Sequence, residues 1–169
     1  MRLLIDGYNL LFASGIVGEV RGARGGESSR LALLDFLAEV VPTAVAARTT
    51  IVFDAADAPP GLPAAFKHRG IQVRFARHKQ DADALLEDLI EQATDPRQLT
   101  VVSSDHRVQR AARRRGATYL DSEIWYAERL RERRSRAQAA DASDVKPEGR
   151  LSREDVAGWL REFGLRDAE

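Results

Sequence analysis

Leu3-Leu4-Ile5-Asp6-Gly7-Tyr8-Asn9 is a short apolar run that stops at an acid and goes straight into turn formers. An apolar run of this length, bounded by turn signals, reads as a buried strand. The Asp, Gly and Asn after it read as a polar turn, in which Gly7 lets the backbone bend without a Cβ. The same pattern returns twice. Thr49 to Phe53 ends at Asp54, and Leu99 to Val102 ends at Ser103-Ser104-Asp105. Ile71 to Phe75 alternates with period two, as a half-exposed strand does, and Thr118 to Leu120 reads as a last short strand.

Helical spacing fills the intervals. Ser28 or Ser29 is the expected cap of a helix reaching about Ala47, with residues 14–27 as a glycine-rich loop and Pro42 kinking or ending the regular part. Asp81 to Ala93 reads as an amphipathic helix with an acidic start. Arg107 to Arg115 reads as a basic one stopped by Gly116. Ser122 starts another that runs to about Ala139, with Ile124, Trp125 and Leu130 as anchors. Strands that alternate with helices, and that are near-continuously apolar, give an α/β fold with a mostly parallel central sheet flanked by helices in three layers. Residues 1–139 are the expected domain. Residues 140–169 are the expected linker and short C-terminal amphipathic helix, which carries Trp159.

Composition narrows the classes. The 169 residues contain 26 basic and 26 acidic side chains and no cysteine. Disulfides, zinc–thiolate sites and cysteine nucleophiles are therefore excluded. No stretch approaches the ~20 apolar residues of a membrane span, and no signal peptide is visible, so a soluble cytoplasmic protein is expected. The zero net charge is unevenly laid out. Residues 1–106 carry 11 basic and 14 acidic groups, residues 107–136 carry 10 and 4, and residues 137–169 carry 5 and 8.

Carboxylates on the ends of neighbouring parallel strands are forced together, because strands lie ~4.8 Å apart. A divalent cation is the usual relief, and an oxygen-only donor set suits Mg²⁺ or Mn²⁺. Asp6, Asp54 and Asp105 are the candidate ligands from strand ends. Asp83 joins them from the first turn of its helix, where the small Ala82 and Ala84 permit close approach. Glu87 reads as a solvated acid that pairs locally. Asn9 supplies a neutral amide that can orient water or a phosphate oxygen. Arg107 and Arg110, on one face of the basic helix, and Arg77 and Lys79, just before Asp81, are candidate phosphate contacts. Tyr8 can stack on a base or pack in the core. His106 reads as a helix-starting residue rather than a base. Arg21 to Gly26 lacks the spacing of a dinucleotide fingerprint, so no dinucleotide cofactor is expected.

Leu4 to Leu10, Thr50 to Ala55, Asp81-Ala82-Asp83 and Val101 to Asp105, in that order, resemble the successive motifs of the NYN domain. More narrowly they resemble the YacP-like ribonucleases of the PIN-like nuclease superfamily, over residues 3 to about 130. The resemblance implies a PIN-like fold and a metal-dependent ribonuclease. Asp6, Asp83 and Asp105 would be metal-binding acids, Asn9 the family asparagine, and Asp54 the acid after the second strand. Ser103 or Ser104 would hydrogen-bond a ligand carboxylate or phosphate. The implied reaction is endonucleolytic hydrolysis of single-stranded RNA or mRNA to 5′-phosphate and 3′-hydroxyl products. RNA is the implied partner, with the ribosome a second candidate. The alternative is a non-catalytic RNA- or ribosome-binding module of the same fold. A phosphoacceptor receiver is disfavoured by the lack of a lysine near the last strands. An aspartyl phosphatase is disfavoured because Asp6 is followed by Gly7-Tyr8-Asn9 rather than D-x-D.

Overall fold

The computed structural model describes residues 1–16, 23–54, 63–76 and 81–144. Among these residues six strands form one sheet: β1 (Arg2–Asp6), β2 (Thr49–Phe53), β3 (Ala65–His68), β4 (Ile71–Phe75), β5 (Leu99–Val102) and β6 (Thr118–Leu120). Their order is β3-β4-β2-β1-β5-β6. All neighbours are parallel except β3, which runs antiparallel to β4 at one edge. The five parallel strands are those expected from the sequence. β3 was not expected: Ala65-Phe66-Lys67-His68 follows a proline-rich stretch and is half exposed. It is made by the Arg69-Gly70 turn, whose residues both take positive φ (45° and 90°) and fold the chain back onto β4.

Among the described residues six α-helices accompany the sheet: α1 (Gly7–Ser14), α2 (Ala23–Val40), α3 (Thr43–Ala46), α4 (Ala82–Glu91), α5 (His106–Arg115) and α6 (Ser122–Asp144). Three differ from the sequence expectation. The tetrapeptide from Asp6 is the capped start of α1, not a turn. α2 begins at Ala23, ahead of the expected serine caps. α6 continues through the first part of the expected linker, where Ala-rich sequence favours helix. The Trp159 helix lies outside the described residues.

Strand alternation separates two cores. Leu3 and Ile5 of β1 face one way, with Ile51, Phe53 and Val73, and pack on Leu33 and Leu37 of α2 and Trp125 of α6. Leu4 faces the other way, with Val52 and Val101, and packs on Leu86 and Ile90 of α4 and Val108 of α5. Side chains two apart share a face, so Asp6 lies on the α4–α5 side with Leu4. Trp125 is buried as expected, whereas Ile124 is 57 % exposed and anchors nothing. The chain divides into two compact units, Met1–Glu132 and Arg133–Glu169. Among the described residues no helix is long and apolar enough to cross a membrane.

Candidate active site

The strand order reverses between β1 and β5, since the chain builds outward from β1 through β2 and β4 and then returns to its other side. In open α/β sheets the crevice outside the carboxyl ends at such a reversal is where ligands bind. Ile5 is the register partner of Val102, so Asp6 and Ser103 come next on adjacent strands. Both are buried. The Ser103 hydroxyl donates to Asp6 Oδ2 at 2.9 Å and accepts from the Asp105 backbone N–H at 3.0 Å. Gln109 of α5 donates to the Ser103 carbonyl at 2.8 Å. Of the two serines, Ser103 is the one bonded to a strand-end carboxylate, that of Asp6. Ser104 instead accepts from the Ser122 N–H at the start of α6, at 3.2 Å.

Asp6 is the N-cap of α1. Its Oδ1 accepts from the Asn9 N–H at 3.1 Å, and its Oδ2 accepts from the Asn9 side-chain amide. Asn9 therefore grips the carboxylate twice. Burial raises the Asp6 carboxyl above the ordinary carboxylate range, against the bonds from Asn9, Ser103 and Tyr8 that favour its ionised form. Gly7 is required by crowding rather than by a turn. A Cβ there would lie 2.7 Å from the Val52 carbonyl oxygen, with the Phe53 ring also in its way. Tyr8 is half-buried and meets Phe53 edge-on, with centroids 5.6 Å apart.

Two more acids cap helices. Asp81 Oδ1 accepts from the Ala84 N–H at 2.7 Å, starting α4. Asp105 Oδ1 accepts from the Arg107 and Val108 N–H groups at 2.6 and 3.3 Å, starting α5. Asp83 stands in the first turn of α4, half-buried. Its carboxyl is pushed up to about 6 by burial, then by the negative charges of Asp105, Asp6 and Asp81, with Arg107 opposing. An acid held this way in a strand-end crevice marks a candidate functional site.

The donor chemistry fits a hard divalent cation: carboxylate oxygens only, with repulsion left unrelieved at Asp83. Among the described residues, no three acids or histidines close into a finished metal cage. Asp54, half-buried after β2, is not among the main charges that load Asp83. Charge thus ties Asp83 to Asp6 and Asp105.

Of the expected phosphate contacts, Arg110 is exposed on α5. Arg107 is already engaged, with Glu87 at 2.9 Å and Asp81 at 3.7 Å. Glu87 pairs locally, as read from the sequence. Arg77 and Lys79 lie outside the described residues, as does Arg21. His106 is exposed at the first position of α5. Sequence reasoning missed the Gln109 brace. A polar side chain one turn after a capping Asp was the available signal.

A model of the YacP-like NYN domain matches residues 3–160. The chain belongs to the YacP-like NYN family. The fold agrees: the crystal structure of Rae1 (YacP) from Bacillus subtilis superposes with a TM-score of 0.66 at 25% identity, covering 97% of this chain and 94% of that one. A tryptophan-to-leucine mutant of Rae1 (YacP) from the same organism gives 0.62 at 26% identity, covering 98% of each chain. No curated protein matches. Membership of the YacP-like NYN family points to an RNase-type nuclease, and hence to RNA as substrate.

Proposed function

We propose that this YacP-like NYN domain is a divalent-metal-dependent ribonuclease that cuts within single-stranded RNA, leaving 5′-phosphate and 3′-hydroxyl ends. The observation that carries this reading is the Asp83 carboxyl, held half-buried among Asp105, Asp6 and Asp81 at the strand reversal. Asp6, Asp83 and Asp105 would hold Mg²⁺ or Mn²⁺. A bound ion of this kind supplies an acidified water and neutralises charge on the phosphodiester. Asn9 and Ser103 orient the Asp6 carboxylate, and Ser103 carries that order to the Asp105 backbone. Arg110, exposed one turn into α5, is the candidate phosphate contact on that helix beside the already paired Arg107.

Asp6→Asn, Asp83→Asn and Asp105→Asn would be compared with wild type on single-stranded RNA with Mn²⁺. We expect each to lose about a hundredfold or more in rate, and EDTA to abolish wild-type cleavage. Undiminished, EDTA-resistant cleavage in all three would overturn the reading. The rival is an RNA-binding module without catalysis. Arg110, Arg113 and Arg114, exposed on α5, favour it, since they can hold phosphate with or without chemistry at the acids. RNA retained in a gel shift, with no turnover under any divalent ion, would establish that rival.

A further inference from the structure

On the face of the sheet opposite Asp6, α2 and the strands β2, β3 and β4 enclose a groove of about 120 Å³ that opens to solvent. Phe53, Phe66 and Phe75 wall it, and Arg30 of α2 lines it. Arg30 is only 6 % exposed, and its guanidinium carbon lies 5.9 Å from the centre of the Phe75 ring. It makes neither a hydrogen bond nor an ion pair with the described residues. Ring contact covers one face of a guanidinium and leaves the N–H donors of its edge for the groove and its solvent. The other polar groups at the groove do not pair with it. Glu27 is exposed and forms no ion pair with Arg30. His68 points its Nε2 at Asp35, 3.0 Å away.

The groove asks for an anion beside something flat. Phe66 stacks on Phe75, with centroids 6.3 Å apart and planes 29° apart, and is itself half-buried on the edge strand β3. A ring backed on one side is a platform for a base on the other. The space is smaller than the few hundred Å³ of a drug-sized ligand site and suits one ring system. One of its walls also reaches the residues next to Asp6. Phe53 forms its wall and at the same time touches the Gly7 position and the edge of Tyr8, next to Asp6.

We propose that this groove is a nucleotide subsite, taking one unit of the RNA strand beside the cleavage position, with its phosphate on Arg30 and its base on Phe66. The choice of RNA rests on the nuclease reading above; the anion-and-ring chemistry of the groove does not. In the test, a 5′-fluorescein-labelled oligoadenylate is titrated with wild type, Arg30→Met and Phe66→Leu in EDTA, following anisotropy, at several salt concentrations. Steady-state cleavage with Mn²⁺ is measured in parallel.

Arg30→Met should weaken binding about tenfold, as loss of one charge-assisted contact does, and should flatten the logarithmic salt slope by about 0.7. KM should rise by the same factor, with kcat held within about twofold. Phe66→Leu should weaken binding about fivefold and leave the salt slope alone. Binding equal to wild type in both folded variants overturns the subsite, and so does failure of wild type to bind the oligonucleotide. If Arg30→Met does not fold, Phe66→Leu on its half-exposed strand decides. Binding that depends on Arg30 without any cleavage keeps the subsite and removes the nuclease reading. Normal cleavage by both variants with unchanged KM removes the subsite alone.

Discussion

The Ser103 hydroxyl donates to Asp6 Oδ2 across 2.9 Å, joining the carboxyl ends of β5 and β1 by one buried bond between residues 97 positions apart. Ser103→Ala leaves Asp6 held by Asn9 and the Tyr8 backbone. That bond favours the ionised Asp6, so its loss moves the Asp6 carboxyl further above its ordinary range. The acid limb of the pH–rate profile should shift to higher pH. Stability should fall by about 1–3 kcal/mol in urea unfolding, and Ser103→Thr should restore part of both. A profile and a melt identical to wild type would remove Ser103 from the site.

Asp83 makes a prediction of the opposite sign. Folded, its carboxyl keeps its proton up to about pH 6, whereas the ordinary value is 3.8. The folded state therefore binds more protons than the unfolded one across that window, and stability drops as pH rises through it. In EDTA, Asp83→Asn should be more stable than wild type above pH ~6. The gain should be about 1 kcal/mol once solvent screening of this partly exposed group is allowed for, or about 2–4 °C in Tm. The gain should vanish near pH ~4, while RNA cleavage is lost. A variant no more stable at neutral pH would show that the neighbouring acids do not strain one another.

Gly7→Ala should be costly although Ala is the better helix former. The new methyl meets the Val52 carbonyl oxygen and the Phe53 ring. We expect a loss of about 1–3 kcal/mol, the usual range for overpacking. Urea denaturation checks this, and wild-type stability would mean that β2 yields to α1.

Arg107 lowers the Asp83 carboxyl while paired to Glu87 and Asp81. Arg107→Gln should therefore raise the acid limb of the cleavage profile and leave KM nearly unchanged. A KM increase of about tenfold with no pH shift would mean instead that Arg107 leaves its acids to contact phosphate.

Much of this was legible in the residues themselves. Apolar runs stopping at Asp6, Asp54 and Asp105 fix three parallel strands and their polar ends, because backbone period and burial act locally. What escaped depends on contacts between distant segments. Asp6-Gly7-Tyr8-Asn9 has turn composition, yet the packing of Leu10 and Leu11 makes it a helix start. β3 exists because β4 offers an edge to pair with. The meeting of Ser103 with Asp6 follows from the strand order that sets β5 beside β1, which no local pattern encodes.

Asp6, Asp81 and Asp105 each cap a helix, whereas Asp83 caps none. Genetic dissection of this site is therefore unequal. Replacing Asp6 or Asp105 by alanine removes a carboxylate and unfastens the beginning of α1 or α5 at once, so an inactive alanine variant at either position confounds lost chemistry with lost scaffold, whereas asparagine keeps the cap. Asp83 is the position at which the two can be separated. A dead but intact protein for trapping a bound RNA is best made there.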